Sequence, residues 1–244
     1  MKVEFAALTD IGKKRDANED FYYAEYPLFI VADGLGGHQA GEVASSTAVR
    51  IFSEKIRSIY SNALKPDELL EHMRKALLDA DEAIYKAGRS STELKGMGTT
   101  ITAGCFLDKK LALAHIGDSR AYLLREEKLT KITTDHTYVQ HLVDIGEIDE
   151  EEASVHPLRS ALTQALGGEY KIKAQLKTIN VKAGDIILFC TDGLYTMVSE
   201  ERIKEILSES SKAEEKASKL VKEAIEAGGL DNITVIVIEI KNED

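Results

Sequence analysis

Four aspartates stand where long apolar runs begin or end. FIVAD runs into Asp33, LALAHIGD into Asp118 and IILFCTD into Asp192, while Asp231-Asn232 opens ITVIVIEI. Apolar runs of this kind bounded by glycine read as buried strands. A carboxylate at a buried strand's end is costly to desolvate unless something positive meets it. Four such carboxylates in one chain suggest a shared metal site. Oxygen donors with room for retained water suit Mg²⁺ or Mn²⁺. Zinc would require closely spaced His and Cys, and His115, His136, His141 and His156 have no ligand spacing, so they read as structural or surface residues.

Each aspartate has a plainer alternative. Asp33-Gly34 and Asp192-Gly193 also read as turns, since Asp tolerates turn geometry and Gly supplies positive φ. Asp118 could pair with Arg120, and Asp231-Asn232 could merely begin a strand. Gly184-Asp185 reads as a turn and nothing more. These alternatives weaken when all four aspartates occur together at strand ends. Two neighbouring features add chemistry: Arg15-x-x-Asn18-Glu19-Asp20 brings more acid and a guanidinium, and Gly-Leu-Gly-Gly after Asp33 lets backbone approach a ligand closely. Their alternatives are a solvated polar loop and a tight strand-to-helix turn.

The elements that must position these residues follow from periodicity. Strands are predicted at 3–10 and 20–32, and a helix at 40–60 with Ala44, Ala48, Ile51, Phe52, Lys55 and Ile59 on one face. A second helix opens at Pro66 and ends near Gly88. Three or four short strands fill 98–131, antiparallel because their connections are too short for parallel crossovers. Residues 135–167 are irregular with short helical pieces, and strands return at 175–180 and 185–191. Helices at about 199–208 and 212–227 precede a last strand at 232–240. Strand blocks alternating with paired helices favour layered antiparallel sheets over a doubly wound parallel fold. With three prolines and no linker, residues 1–244 read as a single domain.

Composition narrows the function classes. Net charge is −11, from 42 acidic and 31 basic residues, which argues against a nucleic-acid surface. It leaves a phosphorylated ligand open, because divalent cations reverse the local sign. No apolar stretch approaches the roughly 20 residues that span a bilayer. Glu4 and Asp10 sit where a secretory signal needs apolar residues. Cys105 and Cys190 fall in predicted strands and read as buried thiols, so a cytoplasmic location is expected.

In order along the chain, RDANED, FIVADGLGGH, GMGTT, HIGDSRAY, LTKITTDHT, HPLRSALTQALG, ILFCTDGLY and DNITVIVI resemble the motifs of the metal-dependent type 2C protein phosphatases (the PPM family), especially the compact bacterial serine/threonine phosphatases. The resemblance implies an α+β fold, a four-layer αββα sandwich of two antiparallel sheets flanked by helix pairs. It implies hydrolysis of phosphoserine and phosphothreonine with two Mn²⁺ or Mg²⁺ ions. Asp33 would bridge them, the Gly34 carbonyl would ligate one, and Asp192 and Asp231 the other. Glu19 and Asp20 would hold water on the ions, and Arg15 would grip the substrate phosphate. Asp118, with Asp192, would serve a third, weaker ion, and Thr100 would contact a metal-bound water.

Two departures stand out. Leu35 occupies the place of a histidine that eukaryotic members offer as general acid, leaving His38 or a metal-bound water as alternatives. Thr196 replaces a further acidic ligand present in some members. Residues 136–160 match a mobile flap, strongly acidic over Glu147–Glu152, which reads equally as a solvated connecting loop. By resemblance, the partners are phosphorylated proteins, a cognate Ser/Thr kinase and its substrates among them, and the chain is a monomer. A regulatory partner-switching or binding-only member of the same fold is the rival reading. The retained Asp33, Asp192 and Asp231 count against it, and the missing basic track counts against a nuclease.

Overall fold

Two five-stranded antiparallel sheets lie face to face in the computed structural model, which describes residues 2–36, 40–61 and 63–242. In chain order, β1 (Lys2–Asp10) is followed by the hairpin β2 (Phe21–Glu25) and β3 (Leu28–Ala32), the short β4 (Gly34–Leu35), and helices α1 (Ala40–Ile59) and α2 (Pro66–Ser90). Then come β5 (Gly98–Thr99), β6 (Ile101–Leu107), β7 (Lys110–Ile116), β8 (Arg120–Arg125), β9 (Lys128–Lys131), α3 (Tyr138–Asp144) and α4 (Glu150–Val155). The chain continues through β10 (Gln175–Asn180), β11 (Ile186–Cys190), α5 (Asp192–Tyr195), α6 (Glu200–Ser208), α7 (Ala213–Glu226) and β12 (Ile233–Lys241). One sheet has the order β1-β12-β11-β8-β9 and the other β10-β7-β6-β3-β2, while β4 and β5 pair separately.

Strand periodicity divides the core into three layers, because successive side chains point to opposite faces. In β12, Ile236, Ile238 and Ile240 enter the space between the sheets, whereas Ile233, Val235 and Val237 pack under α6 and α7. In β3, Phe29 and Val31 face the other sheet, and Leu28, Ile30 and Ala32 meet α1 and α2. Phe29 anchors the inter-sheet layer edge-on to Phe5 and Phe106, with ring centroids 4.9 and 5.8 Å away. The αββα sandwich follows directly. Both cysteines are free and buried.

Three local expectations are corrected. The single strand at 20–32 is a hairpin turning at Tyr26-Pro27, with Glu25 opposite Leu28; Pro27 has no N–H to give a ladder. On α1 the predicted Ala44, Ala48 and Phe52 are buried and Ile51 and Ile59 pack against the same core, but Lys55 is exposed and Ile56 takes its place in the stripe Ala44, Ala48, Phe52 and Ile56. That stripe follows strict i, i+4 spacing toward β3. Within 98–131, β6 pairs with β7 and β8 with β9 antiparallel as expected, but β7 and β8 do not pair because they belong to different sheets. The GDSR segment is therefore where the chain crosses between sheets.

Candidate metal centre

The predicted carboxylates meet at one end of the sandwich. Asp33 follows β3 in one sheet; Asp192 follows β11 and Asp231 precedes β12 in the other. Asp118 lies on the crossing between β7 and β8, and Glu19 and Asp20 precede β2. Asp33 is repelled by Asp20, Asp192, Asp118 and Asp231 together, so both sheets contribute to one cluster. Burial, then these like charges, hold Asp33 well above the usual carboxylate range. Burial first and Asp192 among the neighbours push Asp20 and Asp118 up to about 7, and burial with Asp231 pushes Asp192 up to about 6.

Positioning groups come from all over the chain. Asp20 Oδ2 accepts the Thr191 and Thr234 hydroxyls at 2.8 and 2.6 Å. The Asn232 amide donates to the carbonyls of Ile11 and Ala17, and its Oδ1 accepts the Glu19 N–H at 2.8 Å. Asp33 receives the Thr99 hydroxyl and the Thr100 amide on its carbonyl, at 2.8 and 2.9 Å. Gly34 donates to the Glu19 carbonyl, and a Cβ on Gly34 would stand 2.2 Å from the Gly41 carbonyl oxygen. Only glycine fits that crossing of loop and helix. Asn232, Thr191, Thr234 and Gly41 were not singled out by sequence reasoning. The available signal was position: Thr191, Asn232 and Thr234 border Asp192 and Asp231, and Gly41 closely follows the Asp33 motif.

Several sequence alternatives resolve differently. Arg120 does not pair with the Asp118 side chain; it grips Asp135 with contacts of 2.7 to 3.2 Å and stacks on the Tyr195 ring at 3.5 Å. Tyr195 in turn donates to the Asp118 carbonyl at 3.0 Å. The Thr100 hydroxyl is committed to the Asp33 N–H and to Ser119 Oγ, at 2.9 and 2.7 Å, rather than to the cleft. Thr196 bonds the Asp192 carbonyl through its hydroxyl at 2.7 Å. Asp185 does end a turn, but its buried carboxylate also accepts Arg125 Nε and Nη2 at 2.8 and 2.6 Å. His115 is buried between Thr102 and the Thr134 carbonyl, and His141 is exposed. His38 lies outside the described residues.

The donor set fits a pair of hard divalent cations. Asp20 Oδ1 and Asp192 Oδ1 are buried without a hydrogen-bond partner among the described residues. The donors are oxygens throughout, and nearby positive charge is limited. Among the described residues no three His, Cys, Asp or Glu side chains already stand in ligand geometry around one point. Arg15 accounts for part of this: its guanidinium, half exposed at the cleft mouth, holds Asp231 Oδ2 at 2.7 Å. Glu19 is raised by burial, opposed by Arg15 and the Gly41 N–H.

Known proteins share this sequence and fold. A family model for protein phosphatase 2C matches residues 13–227. The serine/threonine protein phosphatase PstP of Mycobacterium tuberculosis is 42% identical over 99% of this chain, which spans 46% of that protein, about half its length. The serine/threonine phosphatase stp of Listeria monocytogenes is 38% identical over 98% of this chain and 96% of its own. A crystal structure of mycobacterial PstP superposes with a TM-score of 0.91 at 41% identity, covering 98% of this chain and 99% of that one. A catalytic-domain structure of PstP in complex with two manganese ions matches with a TM-score of 0.87 at 39% identity, covering 98% and 99% of the two chains. This chain belongs to the protein phosphatase 2C family. It shares that family's αββα sandwich. No helix among the described residues is long and apolar enough to cross a membrane.

Proposed function

We propose that this chain is a protein serine/threonine phosphatase in which Asp33, the Gly34 carbonyl, Asp192 and Asp231 hold two Mn²⁺ or Mg²⁺ ions. One observation carries the reading: aspartates from both sheets converge on one cleft, two of them with a buried oxygen left unpartnered, beside an exposed arginine. When bound, two such ions activate water for in-line attack on phosphorus and spread the phosphoryl charge.

The chain's own residues supply the rest. Arg15 presents a rigid, always-charged fork at the cleft mouth, suited to two phosphate oxygens once it leaves Asp231. The Thr191 and Thr234 hydroxyls hold one oxygen of Asp20, leaving the other to accept a water proton. Glu19 acts beside it, fixed through its own backbone by Asn232 and Ser45 at 2.8 and 2.6 Å. Asp118, anchored through Tyr195, serves a third, weaker ion. We read residues 1–244 as one catalytic domain, monomeric and cytoplasmic, acting on phosphoproteins that include a cognate Ser/Thr kinase and its targets. The names of the relatives and the two free thiols support this setting.

The test is hydrolysis of p-nitrophenyl phosphate and a phosphothreonine peptide with Mn²⁺, Mg²⁺, Ca²⁺ or EDTA, beside Asp192→Ala. Turnover with Mn²⁺ or Mg²⁺ and its loss in EDTA and in the variant are expected. Activity in EDTA, or an undiminished variant, would sink the two-metal reading.

A further inference from the structure

Charge pairing on the surface is nearly complete among the arginines. Arg15, Arg50, Arg57, Arg74, Arg120, Arg125 and Arg202 each hold a carboxylate. Among the described residues, Arg89 and Arg159 make no ion pair within 4.0 Å, and both line cavities beside the aspartate cluster. Arg159 faces the flap side, with Asp118 and Asp192. Arg89 lies on the opposite side, in a cavity of about 660 Å³, within the size range of ligand pockets.

That cavity joins the catalytic cleft through very little structure. Its wall includes Leu35 and Gly98, which pair across the β4–β5 ribbon, while Gly34 and Thr99 form the adjoining pair. The Thr99 hydroxyl binds the Asp33 carbonyl. One residue of ribbon, about 3.5 Å of extended chain, separates the Gly34 ligand position from the cavity. Its floor is apolar, with Leu35, Met97 and Leu166, and its rim carries Arg89, Lys95 and the hydroxyl residues Ser90, Ser91 and Thr92. Arg89 is held over the Tyr85 ring and bonded to the Tyr85 hydroxyl at 2.5 Å. Lys95 makes no ion pair among the described residues, and Glu169 is the only acid in the lining. Arg89 and Lys95 thus set two positive charges on this rim against the single carboxylate of Glu169, which acts on Arg89, in a chain of net charge −11.

Resting on the phosphatase reading above, we propose that this cavity is a substrate subsite for the peptide flanking the phosphorylated residue. An apolar side chain would settle on Leu35 and Met97, and an anionic one, a carboxylate or a second phosphate, would meet Arg89 and Lys95. Leu35 then has a role in substrate selection: it joins the cleft to the subsite floor.

The test reads binding, so it does not depend on turnover. Fluorescent peptides carrying a non-hydrolysable phosphonate analogue of phosphothreonine are titrated with the Mn²⁺-loaded protein by anisotropy. A glutamate, a second phosphonate or a lysine is walked from four residues before to four after the analogue. One or two positions should bind the anionic peptides about threefold to tenfold more tightly than the lysine peptide, in line with partly exposed ion pairs. The Arg89→Glu/Lys95→Glu variant should reverse that order at the same positions, which a merely structural role would not produce. A stronger effect of the phosphonate than of glutamate would identify doubly phosphorylated segments as the preferred occupant. Equal affinities at every position, undetectable binding, or an order unchanged by the charge reversal would overturn the proposal. Failure of the phosphatase reading would appear separately, as absent hydrolysis of p-nitrophenyl phosphate.

Discussion

Gly41, in the first turn of α1, lies directly against Glu19 and Gly34 of the proposed metal site, and replacing it by alanine tests how finely they are placed. A Cβ at Gly41 would stand 2.7 Å from the Glu19 carboxylate and 2.9 Å from the Gly34 carbonyl carbon. The carboxylate would have to withdraw by about 0.7 Å to reach the 3.4 Å at which ordinary contact begins. Moving a flexible side-chain end is cheap, but the Gly34 backbone at 2.9 Å must also shift, an overpacking cost of about 1–3 kcal/mol that the roughly 1 kcal/mol gain in helix propensity offsets in part. Stability should therefore fall modestly, by about 1–2 kcal/mol. Catalysis is less forgiving, since a misplacement of about 1 Å costs on the order of 100-fold. Gly41→Ala should lower kcat on p-nitrophenyl phosphate about 10- to 50-fold at saturating Mn²⁺, with a melting temperature only about 2–8 °C below wild type. Glu19→Asp shortens the displaced side chain, so the double variant should lose less activity than the two single losses multiplied. Full activity in Gly41→Ala, strictly multiplicative losses, or a collapsed melting temperature would refute the steric account. Gly34→Ala is the harsher control: its Cβ would meet backbone at 2.2 and 2.5 Å, which no side chain can yield to.

Arg15→Ala should lower kcat/KM for a phosphothreonine peptide about 10- to 100-fold, mainly through KM, as loss of a charged hydrogen bond predicts; an unchanged KM across several phosphoesters contradicts the phosphate role. His115 is buried, and burial lowers its pKa to about 3 from an ordinary 6.5. It therefore contributes stability above pH 6.5 that is lost as pH falls toward 3. Denaturant midpoints measured across that window should fall for wild type and fall less steeply for His115→Gln; parallel curves would count against His115. Asp185→Ala should cost about 2 kcal/mol by stranding Arg125, while kcat stays at the wild-type value. The loss stays below that of a fully buried pair because Arg125 remains a third exposed. An unchanged unfolding midpoint would show that pair to be idle.

Much of the fold was legible because its central strands, β3, β6, β7, β11 and β12, are buried on both faces and appear as unbroken apolar runs. The helices beyond Pro66 declared themselves by spacing: Leu69, Met73, Leu77, Ala80 and Ile84 all face the core as expected. Errors came where local pattern is ambiguous. In the 20–32 run Glu25 and Pro27 do mark the turn, but no Gly, Asn or Asp stands between the two apolar halves, so the hairpin at Tyr26-Pro27 reads as a continuous strand. The short helix α5, which starts at Asp192 itself, is too brief to show periodicity. At the metal centre, acids at strand ends were visible, but the groups that orient them were not. Thr191 and Thr234 read as ordinary strand residues until the sheets bring both hydroxyls to Asp20.

The residue types alone determined the donor chemistry: oxygen ligands at the ends of buried strands, a guanidinium upstream, glycines where backbone must come close. Those features are local, and desolvation cost makes them conspicuous in any one segment. Which carboxylate keeps a free oxygen, and which is tied up, was decided only by tertiary structure. Asp20 meets partners 171 and 214 residues away, and Arg15 meets Asp231 across 216. Contacts of that separation exist only once both sheets close on each other, so no pattern along the chain could encode them by itself.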